Sequence, residues 1–317
     1  MRARLGVILA VAISAAAWAQ DARYPDWAYA VPTPENEAAA PKDDGTVFTL
    51  PGSQGKFTRS QISGAGRKAP ADWYPGDHPA MPALIAAGDP ARQITACAAC
   101  HYPNGKGRPQ NAGIAGLNAE YLLRQMQDMK NGLRTSSEPR KKNAQQMVDF
   151  ARDMTDAEMA ETAAYYAALP PTVPIKVVET DMAPKLRSQE GLWLPVEGAP
   201  QEAIGERVIE TPADVAREQL RDPHAGFIAY VPVGAVARGA ALSKGCAMCH
   251  GSNLEGRAAM PGIAGRSPSY LARQLHDFQT GARHGPMAGM MKPAVAKMTA
   301  ADIVNITAYL ASLPVKQ

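Results

Sequence analysis

Every cysteine in this chain sits in one of two short clusters, Cys97-Ala98-Ala99-Cys100-His101 and Cys246-Ala247-Met248-Cys249-His250. Each is a complete C-x-x-C-H, the attachment pattern for a c-type haem. The spacing suits the chemistry. Two thiols add to the two vinyl groups along one porphyrin edge, and the adjacent histidine turns under the ring to reach iron. His101 and His250 are the expected proximal ligands, and Cys97, Cys100, Cys246 and Cys249 the covalent anchors. Three other chemistries suit these residues less well. A zinc site built from the two pairs leaves the histidine after both motifs unexplained. A thioredoxin-like pair needs a βαβ context that is not present. Two structural disulfides suit an exported chain but not this spacing.

The elements around the motifs repeat. A shift of 149 residues superposes the two clusters and carries Gly113-Ile114-Ala115-Gly116 onto Gly262-Ile263-Ala264-Gly265. It also carries Tyr121-Leu122-Leu123-Arg124-Gln125 onto Tyr270-Leu271-Ala272-Arg273-Gln274, and Gly132 and Arg134 onto Gly281 and Arg283. After a five-residue deletion, Thr155, Tyr165 and Leu169-Pro170 meet Thr299, Tyr309 and Leu313-Pro314. The chain therefore holds two copies of one unit of domain size. Each copy reads as mostly helical. A short helix leads into the motif, as over Val236–Lys244. A second helix starts near Glu120 or Ser269, with Leu122, Met126 and Met129 on one face. The last opens on Thr155 or Thr299, where Thr155-Asp156-Ala157-Glu158 is a capping box. Ile303, Ile306, Leu310 and Leu313 give that helix an apolar face, and Pro170 and Pro314 end both copies.

A histidine and four porphyrin nitrogens leave one iron position, and its occupant separates a carrier from a catalyst. Methionine gives a closed, high-potential haem. A ligand should recur in both copies. Met126 and Met129 align with Leu275 and Phe278 and read as core. Met154 and Met298 precede the cap threonines and fit a hydrophobic staple with Met159 and Ile303. Met147 and Met291 recur seven residues earlier, in what reads as irregular sequence, and are the expected distal ligands. Met290 is a near rival of Met291. His78, His224, His276 and His284 read as surface or hydrogen-bonded histidines.

Residues 1–20 run MRARLGVILAVAISAAAWAQ, two arginines followed by an apolar run and Ala17-Trp18-Ala19. This is the pattern of a cleaved secretory leader over 1–19. The apolar run is short for a bilayer span. The expected location is therefore the periplasm. No transmembrane segment is expected in the remaining chain. The formal charge is +3 in 317 residues, and +1 without Arg2 and Arg4, which excludes a strongly basic nucleic-acid binder.

These motifs give each copy a resemblance to class I cytochrome c, and the tandem pair is similar to the dihaem cytochrome c4 family. The resemblance covers about half the chain. It implies a mainly α fold of two tandem cytochrome c domains and two covalently bound haem c groups. It implies exchange of electrons with periplasmic or membrane-bound redox proteins, a dehydrogenase, an oxidase or another cytochrome. It also places Pro261 as the residue whose carbonyl holds the second proximal histidine, with Ala112 departing from that pattern in the first copy. By the same analogy Tyr121, Arg124, Tyr270 and Arg273 lie near haem propionates. The domains expected are 81–170 and 234–317. Residues 20–80 and 171–233 have no counterpart in a plain cytochrome c4. The second stretch carries β-like pieces at Ile175–Val178, Arg207–Ile209 and Phe227–Val231. Both are expected to wrap the haem lobes or to form a docking surface. An electron carrier, or the electron-accepting subunit of a dehydrogenase, is the leading reading. A dihaem peroxidase or a haem-based sensor requires one open iron. An enzyme using a cysteine axial ligand requires a fifth cysteine, which the chain lacks.

Overall fold

Two helical lobes carry the motifs, and the two stretches outside them pack on both lobes. The computed structural model describes residues 25–171 and 175–315; the expected leader, residues 1–19, lies outside the described residues. The leading stretch holds helices α1 (Pro34–Ala38) and α2 (Arg59–Ser63) and a hairpin of β1 (Val47–Phe48) and β2 (Phe57–Thr58). Its own small core is Leu50, Ile62, Ala71 and Trp73.

The first lobe runs through α3 (Ala83–Ala86), α4 (Cys97–His101), α5 (Ala119–Lys130), α6 (Lys142–Asp153) and α7 (Asp156–Ala168). Local chemistry sets the starts. The Asn118 carboxamide oxygen accepts from the backbone N–H groups of Glu120 and Tyr121, capping α5. Thr155 and Glu158 form the expected capping box at α7. The apolar faces of α5 and α7 bury Leu122, Met126, Met159 and Tyr166 in one core with Ile85 and Ile94.

Between the lobes come β3 (Ile175–Glu179), β4 (Met182–Ala183), β5 (Leu186–Gln189), β6 (Leu192–Pro195), β7 (Glu202–Ala203), β8 (Ile209–Pro212), α8 (Val215–Gln219) and β9 (Phe227–Val231). Two of the β-like pieces read from sequence become β3 and β9, while the third is shifted: Arg207 and Val208 are not strand, and β8 begins only at Ile209. The three strands form one sheet of order β3-β9-β8. β3 runs parallel to β9 with Ile175 opposite Phe227, and β8 runs antiparallel with Ile209 opposite Tyr230.

The second lobe follows as α9 (Ala235–Leu242), α10 (Ala247–His250), α11 (Pro268–Thr280), α12 (Ala288–Val295) and α13 (Ala300–Ser312). Ser267 caps α11 with Pro268 at its first position, and Gly281 ends it in the left-handed conformation at φ 80°. Ile303, Ile306 and Leu310 are buried as the apolar face of α13 predicts, each worth about 1.5–3 kcal/mol relative to exposure. Helices α9 and α13 cross closely at Gly239, where a Cβ would stand 1.9 Å from the Asn305 carbonyl oxygen. The intervening sheet and Trp27–Tyr29 pack on the back of this lobe against Ile303, Val304 and Ala308.

Candidate haem sites

Helix α4 is little more than one turn, which places Cys97 and Cys100 one above the other and turns His101 inward. The chain then reverses at Tyr102, φ 66°, and at its counterpart Gly251, φ 88°. The return loops are copies of each other. The Gly107 N–H donates to the His101 carbonyl at 2.9 Å and the Gly256 N–H to the His250 carbonyl at 2.8 Å. Ile114 and Ile263 each close the loop at 2.8 Å, on Gly105 and Leu254.

These loops deliver a carbonyl to each imidazole. His101 Nδ1 lies 2.8 Å from the Ala112 oxygen, and His250 Nδ1 lies 2.8 Å from the Pro261 oxygen. A carbonyl only accepts, so both Nδ1 atoms carry the proton and both Nε2 atoms present a lone pair. Burial holds both imidazoles below the ordinary histidine range, with the carbonyl bond opposing. Loss of proline at 112 does not cost the bond. All four cysteines are free of disulfides.

The first motif opens on a cavity with about 1380 Å³ of empty space, its open mouth included. Ile114, Leu117, Leu122, Met126, Met129 and Val148 supply apolar wall. Met147 also faces this cavity. It does not sit in irregular chain: it lies on α6, and Met291 lies on α12. Residues 142–153 hold helical period, while Lys141 at the N-cap has no side-chain cap, so the usual start signal is missing. Met291 is half-buried, whereas its rival Met290 is 52% exposed and points to solvent. Met154 is buried beside Met159, as a staple requires.

Between the lobes the repeat becomes a clasp. Arg134 and Arg283 pair backbone to backbone, and each reaches both lobes. Arg134 donates to Gln125 at 3.0 Å, Gln274 at 2.9 Å and the Tyr270 hydroxyl at 3.2 Å. Arg283 donates to Gln274 at 3.0 Å and Gln125 at 2.7 Å. These bonds go to amide and phenol oxygens rather than to carboxylates. Burial raises the Tyr270 phenol, but Arg134 and Arg283 more than offset it and leave it below its usual range. Half-buried guanidinium groups with no carboxylate in hydrogen-bond contact are poorly compensated. Planar donors of this kind match carboxylates bidentately, and Arg134 lines the first cavity. The thiols, the imidazole lone pair, the apolar wall and these donors fit a haem with its two propionates.

Tyr121, Tyr270 and Arg273 line the first cavity. Arg273 is buried and donates to the carbonyls of Ala28, at 2.6 Å, and Pro109. Arg124 departs from its repeat partner: it bonds Glu120 at 2.5 Å on the lobe surface. The difference lies outside the repeat: the Ala28 carbonyl, in the leading stretch, accepts from Arg273, while Arg124 bonds within its own helix. The role of Arg134 and Arg283 went unread in the sequence, although their recurrence at 149 was visible. His78 and His224 serve the wrapping, bonded to Asp72 and Asp77.

The family model for cytochrome c matches residues 86–169 and 236–314. A cytochrome c4 of Azotobacter vinelandii is 30% identical over 239 residues, spanning 72% of this chain and 90% of that protein. A thiosulfate dehydrogenase electron acceptor of Thiomonas intermedia (strain K12) is 26% identical over 239 residues, spanning 74% of this chain and 85% of that one. The solved thiosulfate dehydrogenase TsdBA of Marichromatium purpuratum is similar at a TM-score of 0.48 and 28% identity, over 74% of this chain and 39% of that longer chain. Two matched domains, each with its C-x-x-C-H, and a c4 relative matched over most of its length identify the chain as a member of the cytochrome c family, a c4-type dihaem electron-transfer cytochrome that binds two haem c groups covalently.

Proposed function

We propose that this protein is an exported relay that takes electrons from a dehydrogenase and passes them to a second redox protein, with His101 and Met147 on one iron and His250 and Met291 on the other. The observation that carries the reading is the pairing in the first lobe: an imidazole with its Nε2 lone pair free and a thioether on α6 face the same apolar cavity. Bound haem supplies reversible one-electron chemistry. The chain supplies the rest. The Ala112 and Pro261 carbonyls fix the imidazole tautomer and raise ligand basicity. The thioethers of Met147 and Met291 close the distal face. Arg134 and Arg283 hold the propionates at the lobe boundary. Relatives named as thiosulfate dehydrogenase electron acceptors support a dehydrogenase as donor. The leader over 1–19 supports a periplasmic location, and among the described residues no helix is long and apolar enough to cross a membrane.

Met147→Ala and Met291→Ala test the assignment. Each should remove half of the weak far-red band of methionine-ligated ferric haem, lower one potential and admit carbon monoxide to that haem. Met290→Ala should leave all three unchanged. Retention of the full band in Met147→Ala or Met291→Ala would overturn the ligand assignment.

A further inference from the structure

The two motifs are copies in sequence but not in surroundings. In the first, Ala98 and Ala99 are buried, and so is most of the loop from Tyr102 to Pro109. In the second, Met248 is 81% exposed, and Ser252, Asn253, Glu255, Arg257 and Ala258 all face solvent.

The cover on the first motif is built from the stretches that lie outside the repeat. Glu218 on α8 accepts from the Tyr102 hydroxyl at 2.8 Å, Arg108 Nε at 2.6 Å and Lys106 Nζ at 3.1 Å. Arg221 donates to the Ala99 carbonyl, inside the motif itself. A second layer lies over this one. Trp73 donates to the Leu220 carbonyl at 2.8 Å, and Tyr74 stacks on His224 with centroids 4.1 Å apart. On the other side, the β5–β6 hairpin is tied to the leading stretch, Ser188 to Val31 and Trp193 to Trp27, each at 2.7 Å. That hairpin meets the first haem loop through Gln110 and Glu190 at 3.2 Å.

Electron tunnelling falls exponentially with edge-to-edge distance, and a haem bound through these cysteines would present its thioether edge at the motif. A protein partner is therefore held off the first edge by α8, the β5–β6 hairpin and the leading stretch. It meets the second edge directly. The surface there combines exposed Leu242 and Met248 with Lys244. Residues 234–317 contain nine basic and three acidic side chains. Across this lobe Arg238, Lys244, Arg257, Lys292 and Lys297 are exposed, against Glu255 as the exposed acid among the described residues. We infer that protein partners exchange electrons with this chain at the second haem, docking an acidic, apolar-centred redox surface on the Leu242–Met248 patch, while the first haem is filled and emptied through the lobe interface. This deepens the relay reading above and rests on it.

The test uses the haem-loaded full chain and a reduced, acidic blue-copper protein as probe, mixed by stopped flow. Lys244→Glu and Met248→Glu should each slow the second-order rate about tenfold at low salt, the scale of lost steering. Lys142→Glu, an exposed charge reversal on the first lobe, should stay within about twofold. Slowing by Lys142→Glu with no effect of the other two would place the port at the first haem and overturn the inference. Wild-type rates in all three variants would also overturn it, while leaving the relay intact. Failure of the probe to reduce either haem of the unmodified protein, with dithionite reducing both, would instead sink the relay reading.

Discussion

Replacing Glu218 with glutamine should loosen the cover on the first haem and cost more than any surface change in the molecule. The carboxylate is fully buried and, among the described residues, is the one acid bonded to two buried cations, Lys106 and Arg108, and to the Tyr102 hydroxyl. In Glu218→Gln one side-chain oxygen can still accept from Tyr102 and Arg108. The amide NH₂ then stands 3.1 Å from Lys106 Nζ, donor against donor. Lys106 keeps only the carbonyls of Asp222 and Ala225. Two buried cations that lose their bonded carboxylate place the loss at about 3–5 kcal/mol. Urea titration of the haem-loaded protein, followed by far-ultraviolet circular dichroism, measures it. Glu218→Gln should also speed reduction of the first haem by ascorbate, because α8 no longer holds down the motif loop. A loss below about 1 kcal/mol, the scale of an exposed pair, with no change in that rate would refute the idea that Glu218 anchors the cover.

Other outcomes follow from the same contacts. Arg134→Leu and Arg283→Leu should each lower the haem potentials: ferric haem carries one more positive charge, so losing a nearby buried cation favours it, and spectroelectrochemistry reads the shift. A rise in potential would deny these arginines proximity to the haems. Gly239→Ala should force α9 from α13, since its Cβ meets backbone at 1.9 Å, costing about 1–3 kcal/mol or more by thermal melting of the haem-loaded protein; an unchanged melt would contradict the close crossing. Glu158 sits in the α7 capping box and pairs with Arg92 at 2.5 Å; the Arg92 bond leads in holding its carboxyl down to about 2. A depressed carboxyl stabilises the fold above its unfolded value near 4.5, and that contribution is lost as pH falls towards 2. Glu158→Gln should therefore be less stable than the unmodified protein at neutral pH, and the two should converge by about pH 2. A gap that persists there would remove the charge from the explanation.

What could be read in the sequence was whatever is local or repeated. Covalent adjacency put Cys97, Cys100 and His101 on one short helix. Apolar spacing and cap residues located α5, α7, α11 and α13 in advance. The 149-residue shift exposed the two lobes. It also assigned Arg124 and Arg273 the same surroundings, and there it misled. A repeat transmits the helix but not what later packs on it, and Trp27–Tyr29 buries Arg273 while Arg124 stays beside Glu120. The cover on the first motif was equally hidden. Glu218 lies 112 residues from Lys106, and no short-range pattern marks a buried acid for a distant pair of cations. Helix α6 was missed for a simpler reason: Lys141 offers no cap, so residues around Met147 read as loop.

An electron carrier of this kind needs both of its haems closed. The most direct measurement is the absorption spectrum of the purified, reduced protein with and without carbon monoxide, with haem quantified against protein. Two haem c per chain and no spectral response to carbon monoxide are the predicted result. A response from half of the haem would mean one iron is open, and the chain would have to be read as an enzyme or a sensor instead.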